Sequence, residues 1–330
     1  VDKHVNAQKP HRLSPGEILS EINNIQRNIS TTLDLSGPGI QGLLALPNHP
    51  VEVAKAIGDS LMSILQGPEK SRALIAQKIA GNPALKKAID DGDLVLYSKN
   101  ASEFADNTLE KVVPGVKKAD EAFAVFGDRL RIELAETYLG AKRFGVGHAS
   151  VIKPGEEKQM WEFINNLSGT TAQSVDQLER WLLFAPKFFR AMVGVHLTAF
   201  KGTSKAASEA RWALGKFYGT AVLMTVAGNK LRGKDTSFDV NDPNFMKITD
   251  VNGQDIGLLG PTEPYVKLVL KVAGGDPSAV LPFARSKGSG IAGAVVDYAF
   301  NSTFTGEKVH SEKDIKDWTV DDWKGTAWVY

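Results

Sequence analysis

Ile18, Ile22, Ile25 and Ile29 recur every three or four residues behind Ser14-Pro15-Gly16-Glu17. That spacing lines one helix face, and the Ser, first-turn Pro and following Glu mark its start. DLSGPGIQGLLALPNHP, residues 34–50, breaks the pattern and reads as a structured loop around a short apolar turn. A helix over 51–66 follows, with Ala54, Ile57, Leu61 and Ile64 in register. Gly67-Pro68 ends it and opens another helix to about residue 80, and Asn82-Pro83 starts a short third. DGDLVLYSK, 91–99, reads as extended, and 102–113 as helical again.

The strongest periodic segment spans about 116–143. Phe123, Phe126, Leu130, Leu134 and Tyr138 repeat there at intervals of three and four. Lys117, Lys118, Asp120, Arg129 and Arg131 fall largely between them, which predicts an amphipathic helix with a charged outer face. A loop at 145–157 suggests a domain boundary. Helix 156–167 carries Met160, Phe163, Ile164 and Leu167, and Ser174 with Gln177 opens a helix over 175–185. Pro186 interrupts that helix, and a helical pattern resumes through Phe200. A long helix over 204–231 comes next. FMKITDV and DIGLL then flank Asn252-Gly253, a strong short signal for a β-hairpin. Helices at 264–273 and 291–300 follow. The tail DWTVDDWKGTAWVY holds three of the six Trp residues and should pack on something.

These elements predict a mainly α, multi-helix, bundle-like architecture with a small β-hairpin near 245–259. The chain divides into an N-terminal helical arm (1–33), a helical domain (34–150), a helical domain bearing the hairpin (151–310) and an aromatic tail (311–330). The 330 residues, 42% hydrophobic and 23% charged, suit one large or two ordinary folded domains. A net charge of +1 supplies no strong global field toward DNA or an anionic membrane. The absence of Cys excludes disulfides and thiolate chemistry. The polar first 17 residues do not resemble a signal peptide, and Val1 suggests a processed chain or a piece of a longer one. The longest apolar run, GTAVLMTVAG at 219–228, is about half of what a bilayer span needs.

Candidate chemistry is sparse. Asp250, Asn252 and Asp255 suggest a calcium loop, but from Asp250 the sixth position is Asp255 and the twelfth Pro261, where an EF-hand needs Gly and Glu. GPGIQG (37–42) and GSGIAG (288–293) match a dinucleotide fingerprint without its strand and helix context. The six His residues form no zinc signature, and His196 in an apolar helix reads as a hydrogen-bonded core or interface residue. Glu133 and Glu136 read as solvated helix-surface carboxylates. The expectation is therefore a protein that is not an enzyme, with no catalytic, cofactor-binding or metal-binding residues and no cofactor.

Two features of the long helix could serve contacts. Gly215 and Gly219 form a G-x-x-x-G that lets helices approach closely, here as a soluble helix pair. Lys201, Lys205, Arg211, Lys216, Lys230 and Arg232, with Lys234, outnumber nearby acids and are the candidate contact surface for DNA or acidic lipid. The basic residues fit an ordinary solvated helix face as well.

Four stretches together carry a resemblance: DLSGPGIQGLLALPNHP (34–50), WLLFAPKFFRA (181–191), NDPNFMKITDVNGQDIGLLGP (241–261) and PFARSKGSGIAGAVVDYAFNSTFTGE (282–307). In this order they resemble large polyvalent and internal virion proteins of tailed bacteriophages, over roughly residues 34–310. One departure is Gly-Ser-Gly after Lys287, where that family would lead one to expect Ser-Pro. The resemblance implies a structural virion protein, of internal genome-ejection type or tail-associated, in the particle or at the host envelope after ejection. The implied partners are further copies of the chain, portal, tail or other internal proteins, and potentially phage DNA or a host membrane. It brings no catalytic residues. The alternative is an intracellular phage nucleic-acid-handling protein or enzyme using the basic 201–234 helix.

Overall fold

The computed structural model describes residues 42–97, 114–139, 155–174, 179, 186–287 and 297–298. The expected helices at 18–29, 102–113 and 175–185, most of that at 291–300, the 288–293 glycine loop and the aromatic tail lie outside the described residues. Among those described, nine helices and one two-stranded antiparallel sheet form a mainly α fold with a small hairpin.

The helices are α1 (Pro50–Gln66), α2 (Glu69–Ala80), α3 (Pro83–Asp90), α4 (Pro114–Leu139), α5 (Glu157–Leu167), α6 (Pro186–Phe200), α7 (Lys205–Leu231), α8 (Glu263–Ala273) and α9 (Val280–Lys287). Several starts follow from the caps. Asn82 accepts the Leu85 amide at 3.2 Å ahead of Pro83, and Ser204 accepts the Ala207 amide at 3.2 Å. Each bond satisfies a helix-start amide that has no carbonyl partner. At the other end of α7, Gly233 takes φ +70°, which stops the helix.

α4 lies at the centre of its region, packed by α1, α2, α3 and α5. Every residue from Val125 to Ala135 is buried. α5 also packs against α6 and α7, so it links the first group of helices to the second. Most of the described buried apolar side chains of both predicted helical domains belong to one cluster running from Leu44 to Leu259. α7 packs against α6, and it buries Ala206, Ala210 and Ala213, small side chains that permit close approach of a helix.

Two faces differ from the sequence reading. On α1 the buried positions are Val53, Ala56, Ser60 and Ser63, while Ile57 and Leu61 are exposed. The inward serines are satisfied: Ser60 Oγ donates to the Ala122 carbonyl at 2.9 Å and Ser63 Oγ to Asp59 O at 2.8 Å. Small hydroxyls of this kind suit a tight helix contact where a branched apolar side chain would not fit. On α4, Arg129, Arg131 and Glu133 are buried rather than solvated.

Residues 94–97 are buried, but the 91–97 stretch runs through turns and bends and forms no strand, unlike the extended segment the sequence suggested. Buried side chains take the place of a strand partner. Asn165 accepts the Val95 amide at 3.1 Å and donates to Asp93 O at 2.7 Å, and Asp128 accepts the Tyr97 amide at 2.6 Å. These bonds supply what a ladder would otherwise give the backbone.

The hairpin pairs β1 (Lys247–Val251) with β2 (Gln254–Gly257). Asn252 at φ +54° and Gly253 at φ +79° are the two central residues, the geometry a type I′ turn requires. The register moves by one residue between Ile248 and Val251, a β-bulge in β1. The hairpin sits on the C-terminal end of α7. Asn229, fully buried, donates to Lys247 O at 2.9 Å and accepts the Thr249 amide at 3.0 Å. A Cβ on Gly228 would lie 2.9 Å from Ile248 Cδ1, so any other residue there would have to displace that side chain. The stretch that resembled a calcium loop is thus a hairpin stitched to a helix.

Candidate interaction surface and the buried charge beneath it

Among the described residues, a dense cluster of charge is built around a buried carboxylate. The Glu133 side chain, only 5% exposed, receives Lys55 Nζ at 2.8 Å from α1, Lys78 Nζ at 3.0 Å from α2 and Arg129 Nη2 at 3.0 Å from its own helix. Arg129 Nε also faces Asp59 at 3.0 Å, and Lys78 reaches Glu136. One carboxylate therefore gathers cations from three helices. Burial alone would raise the Glu133 carboxyl, but hydrogen bonds from Lys55 and Lys78 and the charge of Arg129 outweigh it and hold it below its ordinary value. Sequence reasoning missed the cluster because its members sit 78 and 55 positions from Glu133, and only the packing brings them together.

A second polar tie lies at the same interface. His49 Nε2 is 2.8 Å from the Tyr138 hydroxyl, and the Thr137 hydroxyl donates to Glu52 at 2.8 Å. Burial would raise Glu52, yet hydrogen bonds from His49, its own amide and Thr137 lower it from 4.5 to about 2. Arg131, fully buried, donates through Nε to Ser168 at 2.9 Å and lies over the Tyr97 ring at 4.4 Å. All these groups connect elements of the chain. His196 does the same, with Nδ1 at 2.7 Å from Met192 O and Nε2 at 2.7 Å from the Tyr218 hydroxyl. Among the described residues no group of three His, Asp or Glu side chains is placed to hold a metal ion.

The outer surface shows the opposite chemistry. Trp212, Gly215, Gly219, Val222 and Leu223 share one face of α7 at helical spacing, and this face points away from the core. Trp212 is 51% exposed and Leu223 71%. A Cβ on Gly215 or Gly219 would meet nothing within 4 Å, so this pair does not pack a second helix among the described residues. Gly127, Gly194 and Gly228 differ: a Cβ there would lie 2.6 Å from Tyr97, 2.4 Å from Asn166 and 2.9 Å from Ile248. α1 carries a matching outer face of Val51, Ala54, Gly58, Leu61, Met62 and Leu65, with Leu65 76% exposed and open space at Gly58.

The basic side chains are distributed along the same region. Lys205 pairs with Glu209, and Arg211 Nη1 donates to Ala199 O at 2.9 Å and Gly202 O at 3.2 Å, capping the end of α6. Lys216 lies over the Trp212 ring at 4.9 Å, and Lys230 pairs with Asp235 at 3.3 Å. Lys201 precedes α7, and Arg232 and Lys234 follow it. Lys205 and Lys230 stand near opposite ends of α7, about 38 Å apart at the usual rise per residue. A line of locally engaged cations is a weaker anion footprint than a compact patch. Among the described residues no helix is long and apolar enough to cross a membrane.

Comparison with protein-family models, curated proteins and solved structures gave no match.

Proposed function

We propose that the chain is a non-enzymatic structural protein of a tailed-phage particle, internal and of genome-ejection type or tail-associated. It works by self-assembly and by contacts with portal, tail or other internal proteins. The ordered set of stretches resembling internal virion proteins supports the setting. The observation that carries the mode of action is the outward face of α7, where Trp212 and Leu223 are exposed and both glycines meet nothing among the described residues. Glycine inside a helix costs about 1 kcal/mol relative to alanine, and no packing against the described residues offsets it at these two positions. A helix docked from another protein would use the space.

Mass spectrometry of gradient-purified particles tests the reading. Recovery in a fixed ratio to the capsid protein supports it. Abundance in infected cells with absence from particles overturns it and favours a nucleic-acid-handling role for the basic residues of α7, which salt-dependent DNA binding would reveal.

A further inference from the structure

α2 is fastened to α4 by charge at both ends but not filled between. Arg72 Nη2 faces Glu121 at 4.0 Å near one end, and Lys78 reaches Glu133 and Glu136 near the other. α2 itself buries only Ser71 and Ile75. Between the two ties lies a cleft of about 200 Å³. Ile75, Ala76 and Ile79 line it from α2, Ala124 and Val125 from α4, and Leu96 from the buried 94–97 segment. The small Ala76 and Ala124 leave the space that larger side chains would close.

The polar groups of the cleft are unequal. Asp128 is buried, and its charge is already met by the Tyr97 amide at 2.6 Å and Arg131 Nη1 at 3.3 Å. Arg72 is 49% exposed, and its pairing with Glu121 is among the longest ion pairs here. The cleft therefore offers an apolar interior, a neutralised inner carboxylate and a guanidinium toward solvent. The wall is fixed, because Asn165 and Asp128 hold the segment carrying Leu96. A dry cavity of about 150 Å³ accepts a molecule the size of benzene, so this one has room for a chain of roughly six to eight carbons.

From this arrangement we propose that the α2–α4 cleft binds a short aliphatic chain ending in an anion, the chain lying between Ile75, Ile79 and Val125 and the head paired with Arg72. A free alkyl carboxylate and the acyl end of an anionic lipid share this chemistry. The proposal is independent of the virion reading.

Sodium octanoate is the first probe, with isoleucine-methyl NMR of the whole chain as readout. Saturable shifts at Ile75 and Ile79 are expected below the micellar range. Arg72→Gln should weaken octanoate about threefold to tenfold and leave octanol unchanged, as loss of a half-exposed charge contact implies. Ala124→Leu should abolish both; Ala76→Leu, on the opposite wall, serves if the first variant does not fold. Competition by dihexanoyl phosphatidylglycerol assigns the site to lipid, and its absence to free carboxylates; both keep the proposal. Equal octanol and octanoate affinities untouched by Arg72→Gln would overturn the anionic assignment and favour an apolar side chain of a protein partner. Shifts that do not saturate, or that survive filling of the cleft, would overturn the site.

Discussion

α4 and α7, the two longest helices described, treat polarity in opposite ways. α4 takes Arg129, Arg131 and Glu133 inside and surrounds them with α1, α2 and α5. α7 buries Ala206, Ala210 and Ala213 and turns Trp212 and Leu223 outward. The difference teaches that burial here follows available partners. A charge can be interior when three helices bring counter-charges to it, as at Glu133. An apolar side chain is left outside when a row of alanines already makes the internal contact. Buried ion pairs are weak evidence of net stability but strong evidence of a fixed arrangement, because removing one partner strands the rest.

The comparison can be broken most severely at its centre. Glu133→Ala leaves Lys55, Lys78 and Arg129 without their shared anion and should cost about 3–5 kcal/mol in urea unfolding. A loss below about 1 kcal/mol would mean that the cluster is solvated in solution. On the α7 side, Asn229→Ala strands Lys247 O and the Thr249 amide and should cost about 2–3 kcal/mol. Hydrogen exchange should then quicken at Thr249 while α4 amides keep their protection.

Acid gives the next effect. Glu52 is held at about 2, below its ordinary 4.5. A carboxyl depressed in the folded chain stabilises it fully above 4.5, and that contribution is lost as pH falls from about 4.5 toward 2. Glu133, also depressed, acts in the same direction. Glu52→Gln should therefore reduce the acid slope of stability, by on the order of 1–2 kcal/mol after allowance for partial exposure. An unchanged slope would place the acid sensitivity elsewhere.

The smallest change has the opposite sign. Gly215→Ala or Gly219→Ala should raise the monomer's stability by up to about 1 kcal/mol, since the new methyl meets no neighbour among the described residues. If the glycines serve self-association, the same variants should sediment as smaller species. Destabilisation of the monomer would show an internal contact at those positions.

Much of the skeleton was legible in the residues. Asn82-Pro83 marks a helix start because a side-chain oxygen beside the first turn has a local job. Asn252-Gly253 names its turn because both positions need positive φ. Periodicity located α4, α5 and α7 for the same reason: helix formation is read over neighbouring residues. The candidate surface was legible only in part. Gly215 and Gly219 could be found by spacing, but their outward direction could not.

The sequence alone determined where the chain turns, caps and runs as helix, since those choices are made within a few residues. Tertiary structure decided which face of each helix points inward. It turned α1 so that serines are buried and Leu61 and Leu65 are exposed, a choice no local periodicity expresses. It also gathered Lys55, Lys78 and Arg129 around Glu133, and joined Asn229 to β1. These decisions depend on the partner each surface meets, and that partner is set by packing between segments far apart in the chain.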